Sequence, residues 1–82
     1  MNKLAPLSEW NEVDAVTKKH SQDGLTFTIV YSDATGRWRS YCKTKDSGYE
    51  IGRYYTSENS AYESCKDVYE EYYGTNKQEI GD

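Results

Sequence analysis

Apolar residues are scarce in this chain, and so are the residues that usually carry catalysis or bind metals. Only 35% of its 82 residues are hydrophobic, below the level of an ordinary globular domain. No apolar run approaches the ~18 residues of a membrane-spanning helix, so no transmembrane segment and no membrane partner are expected. The opening stretch, MNKLAPLSEW, lacks the apolar stretch of a secretory signal, and a cytoplasmic location is the expectation. There is one histidine, His20, and neither a Ser-His-Asp nor a Cys-His arrangement can be built around it. The two cysteines, Cys42 and Cys65, have no zinc-ligand spacing with it. Free, buried thiols are the preferred reading over a disulfide. The glycines of DGL, TGR, SGY and IGR stand singly in turns or strands and form no phosphate loop. No metal, no cofactor and no enzymatic activity are expected. There is no internal repeat and no low-complexity segment.

Aromatics, by contrast, are abundant: nine Tyr, two Trp and one Phe. Disordered chains are poor in these residues, so the sequence reads as one folded domain with a thin core. Such a core leaves a net stability of only ~3–5 kcal/mol, and tyrosine rings with wet hydroxyls must supply part of it. The charge is unevenly spread. Residues 1–55 carry eight cations and seven anions, whereas residues 56–82 carry two cations and seven anions. The total is −4, but the two signs are segregated along the chain.

Residues 1–7 read as a flexible lead-in, 8–74 as a single domain, and 75–82 as a flexible polar tail. Ser8 suits a helix N-cap, with Glu9 and Glu12 in the first turns and Lys18, Lys19 and His20 in the last. Trp10, Val13, Thr17 and His20 would share one face of a helix over 8–20, the preferred reading. The alternation of Val13, Ala15 and Thr17 leaves a strand as the alternative. LTFTIVYS (25–32) alternates as a half-buried strand. DATG (33–36) has the Asp-first, Gly-last form of a type I turn. RWRSYCKTK (37–45) is a second strand, with Trp38, Ser40 and Cys42 on one face and Arg37, Arg39, Tyr41, Lys43 and Lys45 on the other. DSG turns the chain into a third strand, YEIGRYY (49–55). A helix follows over 57–73, capped by Thr56 or Ser57 and stopped by Gly74. Its expected core stripe is Ala61, Cys65, Val68 and Tyr72. The fold class is therefore α+β: a two-layer sandwich of a three-stranded antiparallel sheet with a C-terminal helix packed on one face, preceded by an N-terminal helix or fourth strand.

Two surfaces stand out. Residues 36–55 hold five cations and two anions, and Arg37, Arg39, Lys43 and Lys45 with Tyr41 among them suit phosphate pairing and base stacking. The plainer account is that sheet cations block edge-to-edge aggregation and cover apolar surface with their stems. The second surface is helical. Glu63, Asp67, Glu70 and Glu71 form a stripe in steps of roughly 5–6 Å, given ~1.5 Å of rise per residue. Tyr62, Tyr69 and Tyr73 lie beside it, and tyrosine is favoured at interface hot spots.

The Arg/aromatic strand 37–41, the glycine-containing third strand and TSENSA at 56–61 carry a resemblance. Residues 36–74 resemble the small AP2-like, arm-type DNA-binding domains of phage integrases. That resemblance implies a three-stranded sheet set in a major groove, with Arg37, Arg39, Tyr41 and Lys43 on the DNA. In general character the chain also resembles small acidic phage proteins that inhibit by mimicking nucleic acid. A net charge of −4 works at long range against binding a polyanion. The preferred reading is thus a non-enzymatic inhibitor or modulator of phage or mobile-element type. It would hold a protein partner through Tyr62, Glu63, Asp67, Tyr69, Glu70, Glu71 and Tyr73. The alternative is a DNA-binding module using Arg37, Arg39, Tyr41, Lys43 and Lys45. A basic sheet and an acidic helix on one molecule also suit self-association into a homo-oligomer.

Overall fold

The computed structural model describes residues 3–73, apart from the side chains of Arg53 and Tyr73. The chain is α+β, but its sheet has five strands rather than three. After a 3-10 turn at Leu7–Glu9 come β1 (Asn11–Asp14), β2 (Thr17–Gln22), β3 (Leu25–Ser32), β4 (Arg37–Lys43), β5 (Gly48–Tyr55) and one helix, α1 (Glu58–Tyr73). The strands form an antiparallel meander in the order β1-β2-β3-β4-β5. The helix expected over 8–20 is absent, and a β-hairpin replaces it. Asp14 turns the chain between β1 and β2 by accepting the Val16 N–H on its side chain at 2.9 Å.

The remaining turns are local chemistry. Asp23 and Gly24 both have positive φ, at 51° and 84°. Two such residues in succession make the two-residue turn whose twist matches flanking strands. A four-residue loop, Asp33–Gly36, joins β3 to β4, closed by the Gly36 N–H donating to Ser32 O at 2.7 Å. Between β4 and β5 the Thr44 hydroxyl accepts from the Asp46 and Ser47 N–H groups at 3.2 and 3.0 Å. Ser57 caps α1, its Oγ accepting the Ser60 N–H at 3.1 Å.

The strands at 25–32 and 37–43 alternate as their sequence pattern requires. Leu25, Phe27 and Ile29 of β3, with Ser40 and Cys42 of β4 and Ile51 of β5, face inward. Helix α1 packs on them through Ala61, Cys65 and Tyr69, all fully buried. The core stripe of the helix is thus 61, 65, 69, with Val68 at its flank. Tyr72, expected in that stripe, is 52% exposed. The lead-in read as loose is tied down from Lys3 onward. Leu4 is buried, the Ala5 N–H donates to Gln22 Oε1 at 3.1 Å, and Gln22 Nε2 donates to Lys3 O at 2.7 Å. Trp10 closes the same end, buried against His20, Phe27 and Tyr62. Residues 74–82, which include Gly74 and the polar tail, lie outside the described residues. Among the described residues, no helix is long and apolar enough to cross a membrane.

Candidate functional site

The helix and the N-terminal segment cover one face of the sheet. Among the described residues, nothing covers the other. Strand alternation then decides which side chains stand on that open face. The register sets Lys19, Thr28, Tyr41 and Glu50 in one lateral row across β2–β5. The next row is Ser21, Thr26, Lys43 and Gly48. On the other side Arg39 lies opposite Val30, and Arg37 opposite Ser32. The open face therefore gathers Lys19, Arg37, Arg39 and Lys43 around Tyr41, with Glu50 among them and a second carboxylate, Asp14, at the β1 edge opposite Thr17. Lys45, grouped with them in sequence, sits exposed in the β4–β5 loop rather than on the strand.

Arg39 is the ordered member of this set. Its Nη2 donates to the Tyr54 hydroxyl at 2.8 Å, and its guanidinium carbon lies 4.8 Å from the centre of the Tyr54 ring. Its Nε faces Glu50 Oε2 at 3.3 Å, close enough for an ion pair but not aligned as a hydrogen bond, and shut off from solvent. The Tyr54 hydroxyl, then the Glu50 carboxylate, then the Tyr41 hydroxyl hold the guanidinium pKa above its ordinary value. The stacked, half-tethered guanidinium keeps a fixed orientation with donors to spare. Tyr54 reaches this place because β5 bulges. Ser40 pairs with Ile51 but Trp38 with Tyr55, so residues 52–54 loop out between them. Gly52, at φ +64°, makes the bulge, and a Cβ there would run into the Tyr55 hydroxyl. A depression of about 440 Å³ opens near the Gly48 end of the face.

The helix surface looks different from its sequence outline. Glu63, Asp67 and Glu71 are exposed and Glu70 is half-buried. Their tyrosine neighbours turn away. Tyr69 is fully buried, donating its hydroxyl to Asp23 and accepting from Gln22 Nε2 at 3.1 Å. Tyr62 packs edge-on to Trp10 and donates to Ala5 O at 3.1 Å. The Tyr73 side chain lies outside the described residues. The structure thus brings together Arg37, Arg39, Tyr41 and Lys43, and takes Tyr69 out of the helical surface, whereas Tyr62 stays half-buried within electrostatic reach of Glu63 and Glu70. Glu58, at the start of α1, is paired with Lys18 at 2.9 Å.

The sequence reading misses Lys19, Thr26, Thr28, Glu50 and Tyr54 as members of the open face. Strand parity gave a signal for Glu50 and Tyr54, both placed on the face opposite Ile51. Lys19 could be placed only once β2 was known to be a strand.

Behind the open face the two cysteines are free and fully buried. Burial pushes the Cys65 thiol up to about 12, with the Ser64 and Ser40 hydroxyls pulling the other way and Cys42 adding to the rise. Such thiols are protonated and inert as nucleophiles at neutral pH. Among the described residues, no group of three or more His, Cys, Asp or Glu is placed to hold a metal ion. No family model matches this chain, and neither a curated protein nor a solved structure matches it.

Proposed function

We propose that this protein is a non-enzymatic nucleic-acid-binding module that lays a single strand across the open face of β2–β5. The observation that carries the reading is segregation. The one uncovered sheet face holds Lys19, Arg37, Arg39 and Lys43 around tyrosines, while the exposed carboxylates Glu63, Asp67 and Glu71 stand on the helix. Cations supply the phosphate attraction, and a tyrosine face supplies sequence-tolerant stacking. Width favours a single strand over a duplex. Five strands at ~4.8 Å spacing span about 19 Å, whereas the major groove is about 12 Å wide and takes a two-stranded ribbon.

The test is fluorescence anisotropy with a labelled oligo(dT) and a labelled duplex. If four phosphates are neutralised on a single strand, affinity should fall roughly 50-fold between about 50 and 200 mM salt. The triple variant Arg37→Ala, Arg39→Ala, Lys43→Ala should lose binding while keeping its far-UV spectrum. Wild-type protein that binds neither oligonucleotide at low salt would overturn the proposal.

A second reading rests on the acidic helix. Glu63, Asp67 and Glu71 are exposed and in no ion pair among the described residues, so they could dock on the basic cleft of a protein partner as a nucleic-acid mimic would. It predicts a stoichiometric protein captured from bacterial lysate that survives nuclease and is lost on Asp67→Lys. The burial of Tyr69 and the half-burial of Tyr62 reduce the aromatic part of that surface, which places this reading second.

A further inference from the structure

We propose that the depression beside Gly48 is a subsite for one unstacked nucleobase, with guanine the base it fits best; this rests on the single-strand reading above. The hollow exists because of one residue. In the row Ser21–Thr26–Lys43–Gly48, only the last position lacks a side chain. The resulting space, about 440 Å³, lies at the low end of the range for small-ligand pockets, roughly 300–1,000 Å³. Most of its lining belongs to the face that carries the cations. Tyr41 lines it, and so do Lys43, Thr26 and Thr28. Glu50, Gly48, Cys42 and Tyr49 complete the lining.

Each group has a partner on a nucleotide. The Tyr41 ring stacks a base. Lys43 and Arg39 stand two residues to either side of Tyr41 on β4, about 6.8 Å away along the strand at ~3.4 Å per residue. They are placed to take the phosphates before and after the stacked nucleotide. Glu50 is the informative residue. A carboxylate repels phosphate, yet one stands in the lining of the hollow, between Tyr41 and Gly48. It accepts hydrogen bonds only, and guanine alone offers two adjacent N–H donors, on N1 and N2, to one carboxylate. One Glu50 oxygen is shared with Arg39; the other is available. Thr26 and Thr28 hydroxyls can donate or accept at the remaining base edge.

Gly48 makes the proposal testable. Its φ is not in the left-handed region, and a Cβ there would meet its nearest atoms, Cys42 O and Lys43 Cγ, at 3.7 Å, ordinary packing distance. Gly48→Val therefore fills the hollow without straining the backbone or removing a charge, packing on the Lys43 stem at ordinary distance, and Gly48→Ala serves as the milder second variant. The probes are three labelled oligo(dT) strands of about ten nucleotides, within the site size of such surfaces. One is all dT, one has a single central dG, and one has an abasic site there. Wild-type protein should bind the dG strand about tenfold or more tighter than the other two, the discrimination of one bidentate base contact. Gly48→Val should bind all three alike, at the wild-type level for the abasic strand. Glu50→Gln should lose the dG preference while binding the all-dT and abasic strands somewhat more tightly. Equal wild-type binding to the three strands, or a dG preference that survives Gly48→Val, overturns the subsite and leaves the open-face reading standing. No binding to any strand overturns both.

Discussion

Gly52 shows how a single residue positions the candidate site. Its φ of +64° lets β5 bulge, and the bulge presents Tyr54 to Arg39. Gly52→Ala imposes a left-handed conformation on a residue with a Cβ, at ~1 kcal/mol. It also displaces the Tyr55 hydroxyl from Ile51 O, a bond of 3.1 Å worth ~1 kcal/mol. A loss of about 2 kcal/mol is expected in urea denaturation, with weaker oligonucleotide binding as Tyr54 moves. Cys65 makes a prediction in pH. Its folded pKa, raised by burial to about 12, lies above the 9.0 of an ordinary thiol. The folded state therefore keeps a proton that the unfolded chain releases, and this contribution to stability is whole below pH 9 and lost progressively up to about pH 12. The urea midpoint of wild type should fall more between about pH 8 and about pH 11 than that of Cys65→Ala. Equal slopes would show that the thiol is not held protonated by the fold.

At the scale of elements, the β1–β2 hairpin is where sequence pattern and structure part. The β2 segment Thr17–Gln22, TKKHSQ, has no apolar residue, so strand alternation leaves no hydrophobic trace. Its inward side is nevertheless occupied, by specific partners in place of aliphatic side chains. His20 stacks on Trp10 at 5.6 Å between ring centres. Gln22 bonds to the N-terminal segment and to Tyr69, and Lys18 reaches Glu58 on the helix. Trp10 and His20, expected ten residues apart along one helical face, are instead brought into contact by the β1–β2 pairing, in which Asn11 lies opposite Lys19. Trp10 fastens this end of the molecule, with its indole N–H on Ala5 O at 3.1 Å. Trp10→Ala removes a buried indole at ~3–5 kcal/mol, comparable with the whole net stability of a scaffold this small, ~3–5 kcal/mol. That variant should lose its near-UV circular dichroism at room temperature, whereas Trp10→Phe should keep a folded spectrum. A folded Trp10→Ala protein would mean that the N-terminal segment and hairpin add little to the core.

Across the whole molecule, the net charge of −4 and the basic open face are reconciled by distance. A helix with its side chains is about 10–12 Å across, so the outward carboxylates of α1 stand more than one Debye length from the open-face cations at physiological salt, where that length is ~8 Å. In dilute buffer of about 10 mM the length grows to ~30 Å, and the acidic side is felt. Reversing Glu63, Asp67 and Glu71 to lysine should therefore raise oligonucleotide affinity strongly at about 10 mM salt and little at about 150 mM. An equal gain at both salts would place those residues in direct contact with the strand and count against a one-faced site.

Sequence by itself determined the α+β class, the strands near 25–32 and 37–43, and the C-terminal helix, because in each of these segments local pattern and tertiary environment agree. It also put Arg37, Arg39, Tyr41 and Lys43 on one face, since strand parity alone does that. Only the tertiary structure decided the rest. The polar hairpin became two strands because a neighbouring strand, an indole and an amide network supplied the partners that its own residues do not announce. Tyr69 left the surface and Tyr62 turned half inward because a thin core needed their rings and the N-terminal segment and the β2–β3 turn offered their hydroxyls partners. The choice between an acidic helix and a basic sheet as candidate site turned on which tyrosines remain outside, and that depends on what packs against them.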